Sequence, residues 1–374
     1  MTHDQQKHGN PLARLGELGQ SPWYDHITRD MITGGELARL LAEDGLRGMT
    51  SNPTIFQKAI AGSSLYDADL RRLAAEGLGA PQIFEALAVA DVQAACDLLR
   101  PVYDRVGHGD GTVSLEVSPG VAHDTEATVV EAVRLWESVE RPNVMIKIPG
   151  TAAGLPAVTR CTEQGINVNI TLLFSVERYA EVVEAWLEGL ERRVRRGLPI
   201  DRIDSVASFF VSRVDTKIDP QLDKGGDPAG VRGTIAIANA ALAYRHFEQV
   251  LASERWQKLQ AVGARPQRPL WASTSVKDPK YRDVYYVEAL VAERTVNTMP
   301  PDTWEAYRDH GEPVVRIHDA IATADAKLEG LAAAGISLAQ VTAELEAEGV
   351  QKFTASYDEL IAGIDAKMTT LQTA

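Results

Sequence analysis

The sequence predicts an α/β fold, and more specifically a (β/α)8 TIM barrel with extra helices. Segments with strand character alternate with helical patterns along the 374 residues, as in parallel strands joined by helices. A doubly wound sheet would share this alternation. The barrel is favoured because polar residues stand at the ends of many predicted strands, and a barrel brings all carboxyl ends to one face. These residues are Asp25, Asn52, Glu116, Lys147, Asn169, Thr171, Ser208, Arg213 and Ser273.

Eight strands are predicted from short runs rich in apolar, β-branched and aromatic residues that end at turn-forming residues. Pro53 excludes continued ladder pairing after the second run, and Pro149 with Gly150 closes the fourth. The runs cover residues 21–25, 46–50, 112–117, 144–148, 166–173, 203–210, 269–273 and 295–300.

Helices are predicted where apolar residues recur three or four positions apart. Ser175 is expected to cap the helix after the fifth strand, and Gly165 to stop the helix before it. Residues 215–227 are rich in Asp, Lys and Gly and are expected to form an excursion. The predicted helices cover residues 30–41, 81–106, 124–138, 152–164, 175–196, 231–259 and most of 301–374.

A single barrel domain is expected over residues 1–374, with an N-terminal arm at 1–20 and a C-terminal helical segment at 301–374 packed on it. The net charge of −14 argues against nucleic acid or an anionic membrane as the main partner. No apolar leader or bilayer-length run is present, so a cytoplasmic protein is expected, as a monomer or homodimer. Cys96 and Cys161 are expected as buried, reduced thiols.

Lys147 is the most unusual residue, because it stands within the apolar run Val144 to Ile148. Burial removes hydration from an ammonium group and favours its neutral form. A neutral amine can attack a carbonyl carbon and form a Schiff base. Taken alone, such a lysine is more often one that reaches water at the strand end or pairs with a carboxylate.

Two segments around Lys147 carry a family resemblance. The run N-V-M-I-K-I-P-G-T (143–151), followed by G-I-N-V-N-I-T-L-L-F (165–174), resembles the active-site core of transaldolases in their longer bacterial form. The similarity extends from about Trp23 to at least Pro300. It implies a (β/α)8 barrel in which the strand lysine, here Lys147, forms a Schiff base with a ketose phosphate. It implies no metal and no cofactor.

The resemblance also implies roles for other residues. Glu116 is the expected acid for the loss of water, acting through a water held by Thr171, and Asp25 is the expected base at the hydroxyl next to the bond that breaks. Arg213 is expected to bind the phosphate. The further substrate-binding residues expected are Thr50, Asn52, Asn169, Ser208, Phe210, Ser273 or Ser275, and Lys277.

One departure from the family pattern lies after the sixth strand. The usual S-P-F-x-G-R reads S-F-F-V-S-R at residues 208–213. Ser208, Phe210 and Arg213 still align, whereas the Pro and Gly are replaced, which places the path of this loop in doubt.

Each residue also has an alternative, purely structural interpretation. Asp25 could cap a helix, Asn52 could be a turn residue, and Glu116 could be a surface carboxylate. Asn169 and Thr171 fit a solvated strand face, and Arg213 with Asp215 fits a surface ion pair. The histidines have no metal-ligand spacing and are expected at the surface, namely His26, His108, His123 and His310.

The resemblance implies a transaldolase of the non-oxidative pentose phosphate pathway. Such an enzyme transfers a dihydroxyacetone unit from sedoheptulose 7-phosphate to D-glyceraldehyde 3-phosphate, giving erythrose 4-phosphate and fructose 6-phosphate. A fructose-6-phosphate aldolase is the enzymatic alternative, but those enzymes carry a tyrosine where Glu116 stands. A non-catalytic sugar-phosphate-binding barrel would keep Arg213 without needing a lysine in an apolar strand.

Overall fold

The computed structural model describes residues 9–107 and 109–373. Its eight strands form a closed, all-parallel barrel in chain order, with the last strand pairing with the first. The predicted (β/α)8 barrel is therefore confirmed. The strands are β1 (Gln20–Tyr24), β2 (Gly48–Met49), β3 (Thr112–Glu116), β4 (Val144–Pro149), β5 (Val168–Leu173), β6 (Ser205–Phe210), β7 (Arg268–Ala272) and β8 (Thr295–Met299).

Helices surround the barrel and follow its strands. They are α1 (Pro11–Glu17), α2 (Arg29–Thr33), α3 (Glu36–Glu43), α4 (Pro53–Gly62), α5 (Asp67–Ala75), α6 (Ala80–Arg105), α7 (Thr125–Val139), α8 (Gly154–Gln164), α9 (Val176–Arg195), α10 (Ser212–Gly225), α11 (Ile235–Ala252), α12 (Glu254–Ala261), α13 (Tyr285–Ala289), α14 (Pro301–His310), α15 (Ile317–Ala333) and α16 (Leu338–Thr373). Among the described residues, no helix is both long enough and apolar enough to cross a membrane.

The barrel interior is filled by large apolar side chains. Trp23 of β1 is fully buried and packs with Met145, Val206, Leu270 and Val296 from other strands. β2 contributes Gly48 opposite the Trp23 ring, where a Cβ atom would collide with the indole. The filled interior closes the barrel, as in other (β/α)8 folds, so that a site can form only above the strand ends.

The prediction of an excursion at residues 215–227 was wrong. This stretch lies mostly within α10, which continues through Pro220. Val214, Ile218 and Leu222 are buried at four-residue spacing, and this apolar stripe stabilises the helix although the composition is polar. The charged residues between them mask the stripe in the sequence.

Other boundaries also differ from the sequence prediction. The helix at 30–41 is divided into α2 and α3 by Gly35, whose φ of +89° favours glycine. The helix at 231–259 is divided at Ser253, whose Oγ accepts a hydrogen bond from Trp256 N and caps α12. Gln20 belongs to β1 rather than to the N-terminal arm, and residues 1–8 of that arm lie outside the described residues. The segment containing α4 and α5 received no prediction.

Helix α16 lies across the carboxyl face of the barrel. Its Gly349 faces Leu172 and Phe174 at the end of β5, and the helix contacts α4, α6 and α10. One end is held by Lys217, which pairs with Glu344 at 2.8 Å and with Glu348. Near the other end, Lys367 pairs with Asp67 at 2.9 Å. These contacts place α16 directly above the strand ends.

Candidate active site

A cavity of about 530 Å³ opens at the carboxyl ends of the strands, beneath α16. Its size suits a small phosphorylated sugar. It collects nearly all of the side chains that the sequence singles out. The predicted site residues in its wall are Asp25, Thr50, Asn52, Glu116, Lys147, Thr171, Ser208, Phe210, Arg213, Ser273, Ser275 and Lys277.

Lys147 and Glu116 form a buried pair in the wall of this cavity. The parallel register places them side by side on β4 and β3, with Lys147 Nζ 3.5 Å from Glu116 Oε2. Their side chains are only 9% and 8% exposed. Lys147 Nζ also donates to Ser51 O at 3.3 Å. The lysine therefore does pair with a carboxylate, as one interpretation of the sequence predicted, and this pair faces a cavity.

Glu116 is a carboxyl group whose protonation is sensitive to its neighbour. Burial raises the pKa of Glu116, and the nearby Lys147 ammonium opposes this rise. A raised pKa lets a carboxyl group hold a proton closer to neutral pH, as a general acid requires. Glu116 is therefore not the solvated surface carboxylate that the strand pattern alone allowed.

Asp25 lies at the end of β1 and is held by a threonine. Thr50 Oγ1 donates to Asp25 Oδ1 at 2.6 Å, and the same hydroxyl lies 2.7 Å from Thr298 Oγ1. A short bond to a half-buried carboxylate fixes one of its oxygens and leaves the other to meet a substrate hydroxyl. Asp25 does not cap a helix, since α2 is capped by Thr28.

Thr171 brings an unsatisfied hydroxyl to the cavity. Its Oγ1 is buried and makes no hydrogen bond within the described residues. The pairing of β5 with β6 shifts register between Ile170 and Leu173, and Leu172 has a φ of +62°. Such strained backbone is common where a strand must aim a side chain at a ligand. A hydroxyl of this kind can hold a water molecule.

Asn169 is the predicted site residue that does not line the cavity. Its Nδ2 donates to Ser114 Oγ at 3.0 Å, and its Oδ1 accepts from Ser208 Oγ at 2.7 Å. Both ends of the amide are thus engaged by other side chains, and Asn169 is fully buried. Asn52 does line the cavity, and its Oδ1 also caps α4 by accepting from Ile55 N at 3.1 Å.

The side of the cavity formed after β6 and β7 carries cations and hydroxyls. Arg213 lies near the start of α10, with its guanidinium carbon 4.9 Å from the centre of the Phe210 ring. Burial lowers the pKa of Arg213. Across from it, Ser273 has a φ of +55° and its Oγ lies 3.1 Å from Ser212 Oγ. Lys277 and Ser275 follow in the same loop.

The alternative of a surface ion pair between Arg213 and Asp215 is not observed. Asp215 is 1% exposed, and it accepts hydrogen bonds from Ala236 N at 2.7 Å and from Tyr286 Oη at 3.0 Å. Within residues 9–107 and 109–373, Arg213 makes no ion pair with a carboxylate, which leaves its guanidinium available to an anion.

Several cavity residues were not identified from the sequence. Lys58 comes from α4, while Lys352 and Ser356 come from α16. No sequence signal distinguishes these residues from other helix-surface residues, because only the packing of each helix decides which face meets the barrel.

The prediction that His26 lies at the surface was wrong. This side chain is half-buried in the cavity wall, and burial lowers its pKa.

The other three histidines singled out in the sequence, and the two cysteines, lie outside the cavity wall or outside the described residues. His123 and His310 are exposed, as expected, and His108 lies outside the described residues. Cys96 and Cys161 are buried and free, as expected. Within the described parts of the chain, no three His, Cys, Asp or Glu side chains are grouped as metal ligands would be.

Comparison with known proteins agrees with this geometry. Residues 22–364 match the family described as "Transaldolase/Fructose-6-phosphate aldolase". A "Transaldolase" of Acidothermus cellulolyticus is 51% identical over 95% of this chain and 96% of its own length. A "Transaldolase" of Thermobifida fusca is 49% identical over 94% and 97%. "Transaldolase 2" of a Nostoc species is 46% identical over 97% and 98%.

Proposed function

The chain belongs to the transaldolase/fructose-6-phosphate aldolase family, and we propose that it is a transaldolase of the non-oxidative pentose phosphate pathway. It transfers a dihydroxyacetone unit from sedoheptulose 7-phosphate to D-glyceraldehyde 3-phosphate, giving erythrose 4-phosphate and fructose 6-phosphate. The observation that carries this proposal is the buried amine of Lys147, 3.5 Å from Glu116, in a cavity that also contains Asp25.

The first step joins Lys147 to the ketone of the donor. The neutral amine adds to the carbonyl carbon and gives a carbinolamine, which loses water to form an imine. That loss of water needs a proton at the departing oxygen. Glu116 supplies it, directly or through a water held by the unpaired Thr171 hydroxyl. The amine has lost its ammonium proton before it attacks, so in the carbinolamine no lysine charge remains to oppose the raised pKa of Glu116.

The second step breaks the carbon–carbon bond beyond the imine. Asp25 takes the proton of the hydroxyl on the fourth carbon, and the electrons of the bond between the third and fourth carbons move into the iminium. An aldehyde leaves and a three-carbon enamine stays on Lys147. The enamine then attacks the incoming aldehyde, Asp25 returns the proton, and water releases the product. The Thr50 hydroxyl keeps Asp25 oriented throughout.

The phosphate end of the substrate binds on the opposite side of the cavity. Arg213 offers a fork of N–H donors, and Lys277 with Ser273 and Ser275 completes the phosphate pocket. The whole chain carries a charge of −14, yet Lys58 and Lys352 add two further cations to the cavity wall. This local excess of positive charge favours a phosphorylated substrate.

The amide and hydroxyl groups between these two ends orient the sugar. Asn52 and Ser208 line the cavity and can bind substrate hydroxyls, and Phe210 supplies an apolar wall. Asn169 acts from below by fixing the Ser208 hydroxyl. It then contributes to binding through Ser208 rather than by touching the sugar.

An acceptor-dependence assay tests the proposal against the aldolase alternative. The purified chain is incubated with fructose 6-phosphate, with or without erythrose 4-phosphate, and the products are separated. A transaldolase forms sedoheptulose 7-phosphate and glyceraldehyde 3-phosphate only when the acceptor is present. Steady release of free dihydroxyacetone without acceptor would identify an aldolase instead, and no turnover in either case would leave only a binding protein. The Lys147→Ala variant is the inactive control.

A further inference from the structure

Two carboxylates of α10 are buried and do not line the cavity. Asp215 and Asp219 are one helical turn apart, and they are 1% and 4% exposed. Asp215 Oδ1 accepts from Ala236 N at 2.7 Å, and Asp219 Oδ1 accepts from Gly233 N at 2.9 Å. These bonds attach the helix that carries Arg213 to the start of α11.

The second oxygen of each carboxylate accepts a hydrogen bond from a tyrosine. Tyr286 Oη donates to Asp215 Oδ2 at 3.0 Å, and Tyr281 Oη donates to Asp219 Oδ2 at 2.7 Å. Both tyrosines belong to the chain between β7 and β8, which also contains Ser275 and Lys277. The two tyrosines therefore connect α10 with the other half of the phosphate side of the cavity.

Arg232 extends this connection to the residue next to Lys277. Its Nη2 donates to Asp278 Oδ2 at 2.7 Å, and its Nη1 donates to Tyr281 Oη. It also binds Asp223 near the end of α10, at 2.7 Å. A continuous series of hydrogen bonds thus runs from α10 through Arg232 to Asp278.

Burying these carboxylates carries a desolvation cost, which their hydrogen bonds offset. Within the described residues, no basic side chain pairs with Asp215, and burial raises its pKa to about 7. An apolar contact between α10 and the loop would avoid this desolvation cost. Hydrogen bonds, unlike apolar contacts, fix distance and angle closely, and a fully bonded buried network stiffens the elements it joins.

We propose that the Asp215–Tyr286 and Asp219–Tyr281 hydrogen bonds hold Arg213 and Lys277 at the separation needed to bind one phosphate group together. Tyr281 and Tyr286 are positioning residues, since they reach the substrate only through the helix and the loop that they join. The inference rests on the proposed function, because it takes Arg213 and Lys277 to be the phosphate ligands.

Single-atom deletions test this role. Tyr281→Phe, Tyr286→Phe and the double variant remove only hydroxyl groups. With glyceraldehyde 3-phosphate as acceptor, the KM is expected to rise about 3- to 10-fold in each single variant, which is the scale of one or two hydrogen bonds. Tyr286→Phe removes the bond to Asp215, whereas Tyr281→Phe removes both the bond to Asp219 and the acceptor of Arg232. The kcat should change less than about twofold. With unphosphorylated D-glyceraldehyde, kcat/KM should be unchanged.

Tyr66→Phe is the matched control. Tyr66 Oη donates to the buried Asp91 at 2.7 Å, and Tyr66 does not line the cavity. This variant loses a similar buried bond and should lose similar stability, but it should not alter the preference for the phosphorylated acceptor. Equal losses with both acceptors in Tyr281→Phe and Tyr286→Phe, or no loss with either, would overturn the proposal.

Binding of inorganic phosphate separates this inference from the proposed reaction. The dissociation constant of phosphate, measured by calorimetry, should rise in the double variant and stay unchanged in Tyr66→Phe. A chain that transfers no dihydroxyacetone but shows this pattern would refute the reaction and keep the inference. A chain that catalyses the transfer but binds phosphate equally in all variants would refute the inference alone.

Discussion

Lys147 Nζ lies 3.5 Å from Glu116 Oε2, because Lys147 of β4 and Glu116 of β3 are directly paired in the barrel. Both side chains are almost fully buried, so the charge of Lys147 acts directly on the protonation of Glu116. Burial raises the pKa of Glu116, whereas the lysine ammonium lowers it. When the amine becomes part of a neutral carbinolamine, that opposition ends and Glu116 becomes more ready to hold a proton. The pair thereby couples formation of the adduct to the acid that its dehydration requires.

Glu116→Gln should slow imine formation without weakening substrate binding. Glutamine keeps the shape of the side chain but has no carboxyl proton to transfer, and general acid catalysis contributes about 10²- to 10⁴-fold. The rate of imine formation is measured by quenching with borohydride at increasing times after mixing with fructose 6-phosphate. A rate within twofold of the parent chain would remove Glu116 from this step.

Asp25→Asn should stop the reaction after the imine has formed. The carboxylate is held by Thr50 at 2.6 Å, and asparagine can keep that bond but cannot accept the hydroxyl proton. Borohydride reduction in the presence of fructose 6-phosphate should then trap the whole six-carbon sugar phosphate on the protein. The parent chain should instead yield a three-carbon adduct. A three-carbon adduct in Asp25→Asn would show that another group acts as the base.

Thr171→Val should slow imine formation while leaving stability almost unchanged. The Thr171 hydroxyl is buried without a partner in the described structure, so valine breaks no internal hydrogen bond. It does remove a group that can hold the water between Glu116 and the departing oxygen. Thr112→Val is the matched control, because Thr112 Oγ1 is also buried without a partner but lies outside the cavity. Equal rates for the two variants in the borohydride quench would contradict the role of Thr171.

Asp215→Asn should make stability less dependent on pH. Burial raises the pKa of Asp215 from 3.8 to about 7, and the nearby Asp219 adds to the rise, while bonds from Ala236 N and Tyr286 lower it. Between these two pKa values the folded chain binds more protons at this group than the unfolded chain does. The stability contributed by Asp215 is therefore present below pH 3.8 and is lost as pH rises towards 7.

Denaturant unfolding at pH 5 and pH 8 measures this effect. The fall in the free energy of unfolding between the two pH values should be smaller in Asp215→Asn by about 1–3 kcal/mol, since one pKa unit corresponds to about 1.4 kcal/mol. Asparagine retains an acceptor for Ala236 N and a partner for the Tyr286 hydroxyl. An unchanged pH dependence would mean that Asp215 is already ionised throughout this range.

The strands and the residues they carry could be predicted from the sequence. A buried parallel strand has a short, strongly apolar pattern, and a polar residue at its end is conspicuous. Lys147, Glu116 and Asp25 were recognisable for this reason, and the closed barrel brings all three to one cavity. β2 differs most from its prediction, since it spans only Gly48–Met49 rather than residues 46–50 and is fixed by pairing with Trp23 and Thr112 rather than by its own pattern.

The helical contributions to the cavity could not be predicted in the same way. Lys58 and Lys352 are ordinary residues of amphipathic helices, and only tertiary packing turns them towards the strand ends. The path of α10 was also misjudged, because its polar composition concealed the buried stripe that includes Ile218. Asn169 was predicted to bind substrate because it carries an amide and lies within the motif that resembles the family. Its side chain is instead held out of the cavity wall by hydrogen bonds to Ser114 and Ser208.

Borohydride trapping is the most direct test of whether Lys147 forms the Schiff base. The chain is incubated with fructose 6-phosphate, reduced, digested and analysed by mass spectrometry, with Lys147→Ala treated in parallel. We expect a three-carbon adduct on the peptide that contains Lys147 and none in the variant. An adduct on Lys58, Lys277 or Lys352 instead, or an unmodified Lys147 after reduction with substrate present, would contradict this expectation.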